Sequence, residues 1–376
     1  MPDTADAEPG QPSPTVRASL FDPIRFGPYQ LPNRVVMSPM TRNRATHETP
    51  DALTALYYGQ RASAGLVITE STAISPRGLG WPEAPGIYEA RQEQGWRLVT
   101  DAVHGAGGRI YLQLWHCGRS SHPLTQPGGA APVGPSALAP AGSVRTRDGR
   151  LPLVVPREAS AHDIRAILDE YRMAARRAID AGFDGVEVHA GNGFLLDQFM
   201  KDSSNVRTDA YGGSPQNRCR LLCEVIEAVA EVWGVARMGV RLSPNSPSNF
   251  ALTDSDPTGL FDTALDGLER IGVCFVDVVE GSSNAMPPTA ELDFARHRAR
   301  FSGVYIGNNG YTLERAQQAL QAGHVDMVAF GRPYIANPDL VRRFRKGAPL
   351  NAVIQDSVYA KGALGYTDYP CLTGPE

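Results

Sequence analysis

His189 and Asn192 stand three residues apart on a glycine-rich turn, with Gly191 and Gly193 on either side of the asparagine. They follow the apolar run Gly185-Val186-Glu187-Val188, which reads as a short buried strand after the helix stop at Gly182. His189 then falls at the carboxyl end of that strand, where α/β barrels place their chemistry. In a helical or 3₁₀-like turn, positions i and i+3 point the same way. An imidazole N–H and an amide N–H would converge on one oxygen, an arrangement suited to an enolate developing from a carbonyl. On spacing alone such a pair is more often structural than catalytic.

Further groups lie after other strand-like runs. They are Ser38-Pro39-Met40-Thr41, Gln113 with Trp115, Arg241 in VRLSP, Asn309-Gly310 and Gly331-Arg332. The last two follow the seventh and eighth runs, where barrels build phosphate sites from backbone N–H groups, and Arg332 adds a fixed positive fork. Either glycine motif alone reads equally well as loop punctuation. Gln113 and Thr41 offer donors and acceptors to a flat heterocycle. Arg241 could face an anionic ring or serve only as an ion-pair partner.

The elements that must position these residues alternate regularly. Strand-like runs occur at 33–38, 66–69, 109–114, 185–189, 238–242, 274–279, 304–307 and 327–330. Helical patterns separate them at 51–64, 92–106, 217–232, 258–271 and 313–322. A further helix opens at Ser160 and Asp163, a capping-box pair, and carries Ile164, Ile167, Leu168 and Tyr171 on one stripe. Eight strands with crossover helices predict a single (β/α)8 TIM barrel over residues 19–376. Residues 24–32 read as a hairpin plugging its bottom. The Pro-, Gly- and Ser-rich segment 115–160 reads as an insertion after the third strand, a lid or hairpin over the site. A doubly wound sheet is the alternative, but no early strand precedes a G-x-G-x-x-G.

Composition narrows the function. A chain of 376 residues with 42% hydrophobic and 20% charged residues is ordinary for a globular protein. A net charge of −4 makes no case for nucleic acid or an anionic membrane surface, and no apolar run approaches a membrane span. Residues 1–18 lack the features of a secretion signal and read as a disordered arm. The five cysteines, Cys117, Cys219, Cys223, Cys274 and Cys371, complete no zinc site and suggest reduced thiols in a cytoplasmic protein.

The segments LFDPIRFGPYQLPNRVVMSPMTR, YYGQRASAGLVITE, GGRIYLQLWHCGR, HAGNGFLLDQFMKDSSNVRTDAYGGSPQNRCRLL, VAFGRPYIANPDL and GYTDYP resemble the Old Yellow Enzyme family of FMN-dependent ene-reductases. The likeness is strongest to the bacterial N-ethylmaleimide and nitrate-ester reductase branch. It runs from about Leu20 to Leu372. It implies non-covalent FMN, with Ser38, Pro39, Met40, Thr41, Gly59, Gln113 and Arg241 at the ring and Asn309, Gly310, Gly331 and Arg332 at the phosphate. It implies that His189 and Asn192 bind a substrate carbonyl, with Trp81, Trp115, Arg147, Asn249 and Tyr359 lining the substrate pocket. NADPH or NADH would be the reductant, an enone or related electrophile the substrate, and the protein a monomer or homodimer. The family's tyrosine proton donor is here Phe194, which has no ionisable proton. Reduction with water as the donor and redox-neutral isomerisation both stay open, and Cys117 and Tyr359 are possible substitute acids. A cofactor-free barrel would need a lysine or carboxylate at a strand end, and only Glu280 offers one.

Overall fold

A computed structural model describes residues 18–246, 252–281 and 288–374. Eight parallel strands form the centre: β1 Val35–Met37, β2 Leu66–Ile68, β3 Ile110–Trp115, β4 Gly185–Ala190, β5 Met238–Leu242, β6 Phe275–Val279, β7 Val304–Asn308 and β8 Met327–Phe330. Each pairs with the next, and β8 returns to β1 through Val328–Val35 and Phe330–Met37, so the barrel closes. All eight runs expected from the sequence are present, and the fold is a (β/α)8 barrel. Nearly every strand residue is buried, as a parallel sheet covered by helices requires.

The hairpin of Ile24–Phe26 with Tyr29–Leu31 closes one end. Phe26 packs its ring at 5.1 Å from Phe275 and 5.7 Å from Tyr111, inside a cluster with Leu66, Ile306 and Met327. Gly27 makes the turn at φ 53°, and a Cβ there would lie 2.0 Å from the Ala236 carbonyl oxygen, so only glycine fits.

The helices follow their apolar stripes. Ser160 accepts from the Asp163 backbone N–H and opens Ala161–Asp180, whose Ile164, Ile167 and Tyr171 are buried while Leu168 is half-buried. The helix expected over 217–232 is divided into Pro215–Arg218 and Arg220–Trp233, with Leu221, Leu222, Val225, Ile226 and Val229 inward. The helix expected over 51–64 stops at Gly59. Residues 60–65 then turn so that Gly65 meets Asn33, whose side-chain oxygen accepts the Gly65 N–H. Within 115–160 an antiparallel hairpin, Ser143–Thr146 with Gly149–Pro152, brings Val144 and Leu153 onto Trp115, Cys117 and Phe194. The arm expected over 1–18 falls, but for its last residue, outside the described residues.

Three buried arginines fasten the C-terminal segment to the barrel. Tyr57 and Tyr366 stack at 4.0 Å, and the guanidinium groups of Arg42 and Arg61 lie 5.2 and 3.8 Å from the Tyr57 ring centre. Arg42 donates to the carbonyls of Val358 and Gly365, and Arg44 to those of Ser357, Gly362 and Leu364. Arg61 donates to Tyr57, Tyr334, Ile335 and Tyr366 carbonyls. Carbonyl oxygens and ring faces thus stand in for carboxylates around buried cations. Replacing Arg61 by Met leaves four carbonyls short of a donor, which should cost about 3 kcal/mol. Thermal unfolding should show a melting temperature lower by several degrees, and an unchanged one would contradict this anchoring role.

Candidate active site

A cavity of about 670 Å³ opens at the carboxyl ends of the barrel strands, within the size range of cofactor sites. Ser38, Pro39, Met40 and Thr41 line it from beyond β1, Gln113 from β3, His189 from β4 and Arg241 from β5. Asn309, Gly310, Gly331 and Arg332 line it from the ends of β7 and β8. Asn192, Phe194, Trp81 and Tyr359 complete the wall from loops.

Three expected residues lie elsewhere. Gly59 ends an outer helix and does not line the cavity, and a Cβ there would make ordinary contact with the Ala102 side chain at 3.4 Å. The cavity position beyond β2 belongs instead to Ser71, which the strand-end rule alone would have found. Trp115 is fully buried behind the wall, its ring 4.8 Å from Trp81 and 5.2 Å from Phe194. Arg147 is exposed at the tip of the 143–152 hairpin and does not line the cavity. Asn249 lies outside the described residues.

His189 and Asn192 are both held by hydrogen bonds within the protein. The Gly191 backbone N–H donates to His189 Nδ1 at 3.3 Å, which leaves the ring proton on Nε2. Burial and the Arg241 charge push the His189 pKa well below its ordinary value, so the ring is neutral and still a donor. Asn192 adopts φ 56°, a left-handed rather than helical conformation, which corrects the simple i,i+3 picture. Its backbone N–H donates to Ser243 Oγ at 2.6 Å, and the Gly193 N–H to Asp197 Oδ2 at 2.8 Å. Sequence reasoning missed Ser243 and Asp197 as supports.

Arg241 is an ion-pair partner that also reaches the cavity. Its Nη1 donates to Asp277 Oδ2 at 2.7 Å and to Ser38 Oγ at 3.3 Å, yet the residue also lines the cavity. Asn308 Nδ2 joins the same group, at 2.9 Å from Asp277 Oδ1 and 3.0 Å from Ser38 Oγ. Gln113 accepts from Ser71 Oγ and donates to Glu187 Oε1, both at 2.7 Å. Burial, then Asp277, pushes the Glu187 carboxyl well above its usual range.

At the other end Asn309 and Gly310 take positive φ, 90° and 68°, and turn the backbone at the cavity edge. Asn309 Nδ2 donates to the Glu280 carbonyl, and Tyr311 Oη to its carboxylate at 2.6 Å. Glu280 is thereby engaged in loop support and does not line the cavity, so it offers no base for cofactor-free chemistry. Phe194 is nearly buried, its ring 5.0 Å edge-on to His189 and 5.7 Å from Trp81. Cys117 is fully buried off the cavity, its thiol pushed up to about 12 by burial, which removes it as an acid.

The cavity fits a flavin mononucleotide. Arg241 Nε and Asn192 Oδ1 are buried polar atoms with no hydrogen-bond partner within the protein. A ligand offering both acceptors and donors would satisfy them. Among the described residues no cluster of His, Cys, Asp or Glu could hold a metal, and no helix is long and apolar enough to cross a membrane.

A folded-state His189 pKa below the unfolded value has a definite sign. As pH falls through about 6.5, the unfolded chain binds a proton that buried His189 refuses, so this residue's contribution to stability is lost toward acid. ¹⁵N spectra at pH 5.5 should show His189 neutral with its proton on Nε2. An imidazolium signature there would contradict the assignment.

Residues 19–351 match the family model described as NADH:flavin oxidoreductase / NADH oxidase. The chain is 39% identical to 12-oxophytodienoate reductase 7 of Oryza sativa subsp. japonica, over 96% of each. It is 38% identical to 12-oxophytodienoate reductase 2 of Arabidopsis thaliana, over 94% of this chain and 98% of the relative. Among solved structures it superposes on the old yellow enzyme homologue from Zymomonas mobilis with TM-score 0.91, 45% identity and coverage of 94% and 100%. It superposes on morphinone reductase with TM-score 0.92, 46% identity and coverage of 96% and 98%. Family model, relatives and barrel agree, and the chain belongs to the FMN oxidoreductases of the Old Yellow Enzyme family.

Proposed function

We propose that the protein is an NAD(P)H-dependent ene-reductase acting on activated alkenes: α,β-unsaturated carbonyls, maleimides and possible nitro analogues. One observation carries this reading: a neutral His189 with its proton on Nε2 and the strained Asn192 share a cavity with Arg241 and Gln113. When bound, FMN supplies hydride chemistry between a nicotinamide and the β-carbon of the alkene. A solved complex of morphinone reductase with tetrahydroNAD supports a nicotinamide as reductant.

The chain's residues then have distinct tasks. Gly310, Gly331 and Arg332 hold the phosphate, with Asn309 turning the backbone toward it. Arg241 and Gln113 face the ring, beside Ser38, Pro39, Met40, Thr41 and Ser71. His189 Nε2–H and the Asn192 amide donate to the substrate oxygen and stabilise the enolate. Trp81 and Phe194 wall the pocket with flat aromatic surface, which favours flat substrates, and Tyr359 stands half in solvent at the rim. Phe194 cannot donate a proton, so water entering beside Tyr359 protonates the α-carbon.

Phe194 also favours a second reading, redox-neutral isomerisation of an enone with no net consumption of NAD(P)H. Slow protonation prolongs the enolate, whose Cα–Cβ bond is single and rotates, so loss of the other β-hydrogen as hydride to FMN, were it bound, would leave the isomeric enone.

Replacing His189 by Ala should slow enone reduction by about 10²–10³, because one oxyanion donor is lost. Reduction of the protein by NADPH should change far less. Anaerobic stopped-flow separates the two half-reactions, and enone turnover near the wild-type rate would remove His189 from this role.

Phe194→Tyr should speed reduction of simple cyclic enones, whose enolates need a positioned acid. Maleimides give stabilised anions that water protonates readily, so their turnover should stay nearly constant. Product analysis by gas chromatography checks the pattern, and equal effects on both substrate classes would contradict it.

A further inference from the structure

Glu187 is fully buried inside the barrel and has no task in the chemistry above. It lies opposite Gln113 in the β4–β3 register, and its Oε1 accepts from Gln113 Nε2 at 2.7 Å. Its Oε2 has no partner. The other end of the Gln113 amide is held by Ser71 Oγ, also at 2.7 Å. The amide that lines the cavity is thus clamped at both ends. Without a clamp, the terminal torsion of a glutamine is broad and twofold. A methionine would fill the same space at no desolvation cost, whereas a buried carboxyl is expensive unless its bonds serve a purpose.

We propose that Glu187 is a positioning residue for the flavin site, holding the Gln113 amide with its remaining N–H turned to the ring edge. The inference rests on the reading of Gln113 as a flavin contact. Ser71 alone leaves a hinge, because its hydroxyl rotates to meet either the oxygen or the nitrogen of the amide. Glu187 completes the clamp through a carbonyl-type acceptor, which it presents whether or not it carries a proton. Asp277 and Arg241 are the charged groups that face it.

The test is a double-mutant cycle on the full chain with FMN. Apoprotein of wild type, Glu187→Met, Gln113→Met and the double variant is titrated with FMN by fluorescence quenching, and the midpoint potential of each loaded protein is measured. Glu187→Met should weaken FMN about tenfold and move the potential in the same direction as Gln113→Met. The double variant should be no worse than Gln113→Met alone. Glu187→Gln keeps volume and acceptor, and should bind FMN within about threefold of wild type. Additive effects in the double variant, or a tenfold loss in Glu187→Gln, would overturn the proposal, and the second holds even if Glu187→Met fails to fold. Were Gln113→Met itself to leave affinity and potential unchanged, the reading of Gln113 would fail and take the proposal with it. A failure confined to the Glu187 variants would leave that reading intact.

Discussion

The ion pair of Arg241 with Asp277 is the interaction on which the site depends. Two neighbouring strands place it in register, with Arg241 opposite Asp277, and the pair is buried. Asn308 from β7 and Ser38 from beyond β1 complete it, so four staves of the barrel meet in one polar layer. Removing Asp277 would leave an uncompensated buried guanidinium, which is far costlier than the intact pair is stabilising. The same positive charge helps keep His189 neutral from the adjacent strand. Structure and chemistry therefore share a single cation.

Above this layer the turn from Gly191 to Phe194 is held by several hydrogen bonds. Asn192 is held in a left-handed conformation by Ser243 and by the Gly193–Asp197 hydrogen bond, and Asp197 is itself paired with buried Lys201 at 3.4 Å. Gly191 permits the close approach, since a Cβ there would lie 2.9 Å from Ser243 N. Strain of this kind persists only where the surroundings over-determine it. Phe194 follows at once and packs among Trp81, Trp115 and His189, so the turn ends in apolar wall.

Much of the barrel was legible because its strands are short, mostly apolar runs separated by helical patterns, and the eight runs fall where the pattern places them. The strand-end residues were legible for the same reason, since a closed parallel barrel brings strand ends together whatever their separation in sequence. Gly59 ends a helix away from the cavity, and a glycine in an apolar helix carries no sign of which face it borders. Glu187 and Asp277 were hidden because a carboxylate within an apolar run carries no sign of its partner. The arginines at 42, 44 and 61 were hidden likewise, because their partners are backbone carbonyls up to 323 residues away.

We propose His189 and Asn192 as the oxygen-binding pair above a flavin seated between Arg241 and Arg332. A phenolate, flat and anionic at oxygen, is a stable mimic of the enolate. The most direct measurement is a crystal structure of the protein with FMN and a para-substituted phenol. The phenolic oxygen is expected within hydrogen-bond distance of both His189 Nε2 and the Asn192 side chain, with the phosphate on Gly331 and Arg332. A phenol oxygen bound away from both side chains, or a flavin phosphate away from Arg332, would contradict it.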